Sequence, residues 1–377
     1  MVHDPSSFRS ILVPLDGSPF AEQAVPLASW IAQRSGSKLR LAFVHKLPAP
    51  PLDSAAAKVF TSLEMVTRKS ERAYLRGIQA KLREGGTRLS SAVTLTGDPG
   101  PALAQYAREM AIDLVIMATH GRGGIRRAWL GSVADHLIRH LEVPVLLVRP
   151  TEGAAPQGRP GAGRILVPLD GSPLAEEALD AGAALARIWD TELTLLQVVR
   201  PVFPSPDLAL PVPSAYDEEL TAMCRAQAQD YLDDVVERMH AQGLRATGVA
   251  VVGWSAVDSI LDVARPEHIA LVVLATHGRG GLRRFALGSV ADKVVRGADV
   301  PVLVYRPAGR GKTKKQSSSG DGSRGRLAAR TQRSATPRGP GRAHAVSAAG
   351  GNAARNALRI TATSIPSWSS APATGGI

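Results

Sequence analysis

The stretch Ile11-Leu-Val-Pro-Leu-Asp-Gly-Ser-Pro-Phe20 returns, changed only in its final residue, as Ile165-Leu-Val-Pro-Leu-Asp-Gly-Ser-Pro-Leu174. A second stretch, Ala118-Thr-His-Gly-Arg-Gly-Gly124, returns unchanged as Ala275-Thr-His-Gly-Arg-Gly-Gly281. The offsets are 154 and 157 residues, so two copies follow one another in the same order at nearly constant register. A period that long lies far above the solenoid repeats and matches one whole domain. The chain is therefore read as a duplicated domain, residues 8–150 and 164–307, with a Gly-, Pro- and Ala-rich linker at 151–163 and a tail at 308–377.

Within the first copy, the apolar run at residues 11–14 is stopped by Asp16-Gly17-Ser18-Pro19. Apolar residues then recur at helical spacing from Ala21 to Ile31, which reads as strand, turn, helix. Further strands are predicted at 38–45, 88–96, 113–118 and 143–148, with helices at 54–84, 101–110 and 132–140. The second copy repeats the order, with strands at 164–168, 192–199, 245–252, 271–275 and 300–305. Strands alternating with helices through short loops call for an α/β fold. Each copy should be a doubly wound parallel sheet with helices on both faces and right-handed crossovers.

The formal net charge of +12 suggests a nucleic-acid partner until its distribution is seen. Residues 308–377 hold 12 Lys/Arg and one Asp, leaving 33 basic and 32 acidic residues in 1–307. The body is nearly neutral. The tail lacks apolar periodicity, so it is expected to be disordered and to bind polyanions weakly and salt-sensitively. Within it Gly311-Lys312-Thr313 imitates the end of a P-loop, but Arg306 stands where that motif needs its first glycine. The single cysteine, Cys224, excludes an intrachain disulfide and reads as a buried helical thiol in a reducing compartment. With no signal-peptide pattern and no run of about 18 apolar residues, a soluble, cytoplasmic chain with no membrane span is expected. The five prolines of residues 201–213 occur in copy two alone, as a stiff loop that could cover a pocket or be a tolerated surface insertion.

In open parallel sheets, ligands collect beyond the carboxyl ends of strands, where the strand order reverses. Two loops per copy should arrive there: residues 16–18 and 119–132, with counterparts 170–172 and 276–289. Gly121, Gly123 and Gly124 permit backbone amides to converge on a phosphate, and Gly131-Ser132 opens the next helix with its amides and a hydroxyl. Gly278, Gly280, Gly281, Gly288 and Ser289 repeat each element. The alternative is a tight strand-to-helix connection with serine as a plain N-cap. Asp16 and Asp170 either accept hydrogen bonds from a ribose or base, or close Asx-turns. Arg122, Arg126 and Arg127, like Arg279, Arg283 and Arg284, set cations beside the loop or form a solvated face. His120 and His277 suit loop or ligand contacts better than catalysis, because no acidic or nucleophilic partner stands at a motif distance.

Together these motifs resemble the universal stress protein family in its tandem two-domain form. The strand ending Val-Pro-Leu-Asp-Gly-Ser, the Ala-Thr-His-Gly loop followed nine residues later by Gly-Ser-Val-Ala, and the closing Val-Pro-Val-Leu strand carry the resemblance over about residues 8–307. It implies a five-stranded sheet in the order 3-2-1-4-5 and, in the branch keeping the phosphate loop, binding of ATP or a related adenine nucleotide. In that pattern Gly121, Gly131 and Ser132 match, as do Gly278, Gly288 and Ser289, whereas Ala118 and Ala275 replace the first glycine. The resemblance further implies that Pro14, Asp16, Pro168 and Asp170 meet the adenosine and that Val44 and Val198 flank the base. His120 and His277 lie beside the ligand, and Ser132-Val133 and Ser289-Val290 meet phosphates. Any Mg²⁺ would be carried by the nucleotide. Family members pair through their last strands, so the two copies should form an internal pseudo-dimer, and pairing between chains as a homodimer is a further arrangement. The function implied is regulation in the stress response without efficient catalysis. The alternatives are a nucleotide-free interaction scaffold, or an adenylating or ATP-hydrolysing enzyme of the same broad fold.

Overall fold

The computed structural model describes residues 8–47, 54–87, 89–119, 130–150, 163–203, 217–265, 267–276 and 287–306. The first copy runs β1 (Ser10–Leu15), α1 (Pro19–Glu22), α2 (Ala24–Ser35), β2 (Lys38–His45), α3 (Ser54–Glu84), β3 (Leu89–Thr96), α4 (Pro99–Glu109), β4 (Leu114–Ala118), α5 (Ser132–His140) and β5 (Val145–Val148). The second runs β6 (Arg164–Pro168), α6 (Pro173–Glu176), α7 (Ala178–Trp189), β7 (Leu193–Val199), α8 (Glu218–Ala241), β8 (Ala246–Val252), α9 (Ala256–Val263), β9 (Ile269–Ala275), α10 (Ser289–Gly297) and β10 (Val302–Tyr305). No helix among the described residues is long and apolar enough to cross a membrane.

Both copies adopt the strand order 3-2-1-4-5, and all pairs within a copy are parallel. The two sheets do not stay separate. β5 and β10 pair antiparallel, with Leu146 opposite Leu303, and merge them into one sheet of ten strands. Each copy thereby covers an edge whose unpaired amides and carbonyls would otherwise invite foreign strands. The chain is an internal pseudo-dimer.

Alternation along the central strands feeds two cores. Ile11, Val13, Leu114 and Ile116 point to the face covered by α2, α3, α7 and α8. Leu12, Val115 and Met117 point to the face covered by α4, α5, α9 and α10. Strands buried on both sides must be apolar throughout, which is why they read as continuous runs. Each fully buried Leu or Ile contributes about 1.5–3 kcal/mol. Around the seam, Trp30 of α2 meets Trp189 of α7 at 5.7 Å between ring centroids, and Arg149 donates to the carbonyl of Ala298 at 2.7 Å.

Three expectations are corrected in detail. Asp113 is not a strand residue: its carboxylate accepts from the amides of Arg9 (2.8 Å) and Ser10 (2.9 Å), tying the start of β1 to the start of β4. Cys224 is half-buried in α8 instead of lying in the core, because its helix turns the Ala228–Leu232–Val235 side to the sheet. The last strands begin at Val145 and Val302, later than expected. The tail, residues 204–213 of the proline-rich segment and most of the linker lie outside the described residues.

Candidate functional site

Proline at position 14 has no N–H to offer a neighbouring strand. The β1–β4 ladder stops at Leu12 and Val115, short of Pro14, although both strands continue. Copy two repeats this, with the β6–β9 ladder ending at Leu166 and Val272 before Pro168. The strands part at the point where the strand order reverses, and a crevice at such a switch point is where α/β sheets take ligands. Asp16 and Ala118 of copy one, and Asp170 and Ala275 of copy two, stand at the mouths of these partings. Pro14 and Ala118 are buried, while Pro168, Asp16, Asp170 and Ala275 are half-buried. On the neighbouring strand, Val44 and Val198 are half-buried and pack toward the face of α4, α5, α9 and α10.

The far wall of each crevice is a helix start. The Thr119 amide donates to the Val148 carbonyl (2.9 Å), and the Gly131 amide returns to the Thr119 carbonyl (2.9 Å). Thr276 and Tyr305, then Gly288 and Thr276, repeat the pair at 2.8 Å each. One backbone hydrogen bond thus ties the end of the fourth strand to the cap of the following helix. A β-carbon on Gly131 would stand 2.9 Å from the Thr119 carbonyl oxygen, so the closeness requires glycine.

These two helices start differently from four others in the molecule. Ser18, Ser172, Asp217 and Ser255 each cap their helix with a side-chain oxygen. Gly131 and Gly288 cannot, and no side chain caps α5 or α10. The amides of Ser132, Val133 and Ala134 precede the first intrahelical donor, Asp135, which bonds to Gly131 at 2.9 Å. Orphan donors at the positive end of a helix dipole suit an anion, and the exposed hydroxyls of Ser132 and Ser289 add a rotatable donor. Serine is therefore not the cap here; glycine is. Val133 is half-buried and Val290 exposed in the same first turn.

Asp16 closes the opposite wall. Its Oδ1 accepts from the Ser18 amide (2.9 Å) and hydroxyl (2.6 Å), and the Ser18 hydroxyl oxygen accepts from the Ala21 amide at 3.1 Å. Asp170, Ser172 and Ala175 reproduce the network at 3.0, 2.5 and 3.2 Å. Gly17 and Gly171 supply the left-handed turns, with φ of 81° and 75°. The Asx-turn reading describes Oδ1, and the rigid turn fixes where the rest of the carboxylate stands. His120, Gly121, His277, Gly278 and the adjacent arginines lie outside the described residues.

One group near the site escaped the sequence reading. His45 ends β2 beside Val44 and is only 3% exposed. Its Nδ1 lies 2.9 Å from Glu71 of α3, whereas Nε2 lies 3.9 Å from Glu64 and has no hydrogen-bond partner among the described residues. The Gly97 amide donates to the His45 carbonyl as the Gly253 amide donates to that of Val199, both at 3.0 Å, so Val199 is its counterpart. Aligning the two copies residue by residue would have exposed that exchange.

Comparison with known proteins agrees with this architecture. The family model described as "Universal stress protein family" matches residues 7–149 and again 161–306. Universal stress protein Rv1996 of Mycobacterium tuberculosis is 28% identical over 322 residues, covering 78% of this chain and 94% of the relative. Universal stress protein YxiE of Bacillus subtilis, 31% identical over 146 residues, covers 38% of this chain and 98% of its own length, so it matches one copy's worth of sequence. The crystal structure of a universal stress protein from Archaeoglobus fulgidus is similar in fold, with a TM-score of 0.54 at 17% identity over 80% of this chain and 98% of that one. With two family matches laid end to end on one ten-stranded sheet, the chain belongs to the universal stress protein family.

Proposed function

We propose that each copy binds an adenine nucleotide, ATP in the first instance, across the crevice between its first and fourth strands. The protein would then act in stress regulation through occupancy of the two sites. The observation that carries this reading is the pair of helix starts at Gly131 and Gly288, uncapped by any side chain and tied to the adjacent strand ends. Backbone amides and the Ser132 and Ser289 hydroxyls would hold phosphates, while Asp16, Asp170, Val44 and Val198 would hold the nucleoside. The donor set fits a polyphosphate: it is neutral, preorganised and aligned with a helix dipole. Ala118 and Ala275 each add one methyl where the family pattern has glycine. A bound nucleotide would bring its own divalent ion.

We also propose that turnover is slow. The first turns of α5 and α10 each carry one carboxylate, Asp135 and Asp292, and each is held in an ion pair by its own helix's Arg139 (2.8 Å) or Arg296 (2.9 Å), which disfavours its service as a general base. Titration calorimetry of nucleotide-free full chain should give two nucleotides per chain. Ser132→Ala and Ser289→Ala should each weaken one site by about 1.5–3 kcal/mol, the worth of a hydrogen bond to a charged group. Unaltered affinity in both variants would place the nucleotide elsewhere. A ratio near one would make one copy structural, and rapid phosphate release would make the protein a hydrolase.

A further inference from the structure

Helix α3 turns charged residues inward and apolar ones outward between Val59 and Glu71. Glu64, Arg68 and Glu71 face inward, Glu71 to His45 and Glu64 to Arg68 at 2.9 Å. Val59, Leu63, Met65 and Val66 face outward, each more than three-fifths exposed. Among the helix residues whose burial is described, the buried apolar ones are Leu75, Ile78 and Leu82. Because the acids are turned in, the exposed charges from residue 59 onward are Lys69, Arg72, Arg76, Lys81 and Arg83 against the single carboxylate of Glu84.

Its counterpart α8 carries the opposite sign. Glu218, Glu219, Asp230, Asp233, Asp234 and Glu237 are exposed, against Arg225 and Arg238. Leu220 and Met223 are exposed beside them. Both helices cover the same face of the sheet, α3 over β2 and β3 at one end and α8 over β7 and β8 at the other. With α2 and α7 standing between them, neither can reach the other within one chain. Large exposed apolar side chains flanked by charge mark interaction surfaces, and opposite potentials choose the partner.

We propose that the occupant of each surface is a second copy of this chain, the basic outer face of α3 in one molecule seating on the acidic outer face of α8 in another. Apolar residues come together at the core of the contact, and the charges set the pairing. The association is heterologous, because the two surfaces are different, and it weakens as salt screens the charges.

Sedimentation velocity of the full chain over a range of concentration and salt tests this. The unmodified protein should self-associate at low salt, with a dissociation constant that rises about tenfold or more at high salt. Lys69→Glu/Arg72→Glu/Arg76→Glu in one variant, and Asp230→Lys/Asp233→Lys/Asp234→Lys in another, should each sediment as monomers. Mixed together, the two variants should associate again, since the acidic α3 of the first meets the basic α8 of the second. All six positions are exposed, and unchanged far-UV circular dichroism and melting confirm that folding is intact. A chain monomeric under every condition, or association indifferent to both reversals, overturns the proposal. So does loss on reversing α8 alone together with loss on deleting residues 308–377, which would assign the acidic face to the chain's own basic tail.

Discussion

At the end of the fourth strand, copy one sets Gly131 against Thr119 at 2.9 Å and copy two sets Gly288 against Thr276 at 2.8 Å. At the end of the second strand, copy one buries His45 against Glu71, where copy two has Val199. The first pair agrees to a tenth of an ångström; the second shares no chemistry. Identical backbone can thus be held beneath different side-chain support. The strand ends, which face a would-be ligand, need one arrangement of amides. The end of the second strand has more than one solution, polar at His45 in one copy and aliphatic at Val199 in the other.

The largest expected effect attacks the agreement. Gly131→Val and Gly288→Val force a β-carbon against the preceding strand end, which in copy one lies 2.9 Å away. Each should cost about 1–3 kcal/mol in urea unfolding, the usual cost of overpacking, and should empty its own nucleotide site. Loss in one copy alone would show that the matching geometry does not carry matching function.

A medium effect sharpens the disagreement. His45→Val makes copy one resemble copy two but leaves Glu71 half-buried without its imidazole, at a cost of about 1–3 kcal/mol. Adding Glu71→Leu should recover most of that loss, because removing both partners leaves an apolar packing problem. If the double variant is as unstable as the single, the pair is not the unit the geometry suggests.

The smallest effect lies on α5. The His136 and His140 rings stack at 4.0 Å, and the equivalent of His136 in copy two is Lys293. Partial burial first, and the neighbouring His140 second, hold the His136 imidazole below its ordinary 6.5. A histidine lowered on folding contributes stability that is complete above its unfolded value and is lost as pH falls through the lowered one. Copy one should therefore soften slightly in mild acid where copy two has no such group. Histidine NMR titration should place His136 below 6.5, and His140→Ala should raise it only part of the way, since burial is the larger cause. An unmoved His136 after that substitution would mean that the stacked pair is electrostatically idle.

The fold was legible because both of its signals are local and doubled. Short continuous apolar runs such as 114–118, bounded by polar and glycine-rich stretches, suit strands buried on two faces, and the Asp-Gly-Ser-Pro turn stops the first strand twice. The helix starts at Ser132 and Ser289 were legible from Gly-Ser after a glycine-rich loop, although the cap proved to be glycine. The parting of β1 from β4 could not be read, because it depends on which neighbour a proline fails to bond. The inward acids of α3 hid for a related reason: Glu64 and Glu71 look solvated in any helical wheel until His45 arrives from β2, 19 to 26 residues earlier. Side-chain partners from separate elements leave no periodic trace.

Joining β5 to β10 inside one polypeptide also changes what substitution can do. In a dimer of identical chains every replacement appears twice, and a histidine acquired on one side is imposed on the other. Here the symmetric sheet is encoded by two independently editable stretches. The chain can keep the geometry of a twofold assembly while one half specialises, and His45 in one half where the other has Val199 is that freedom already exercised.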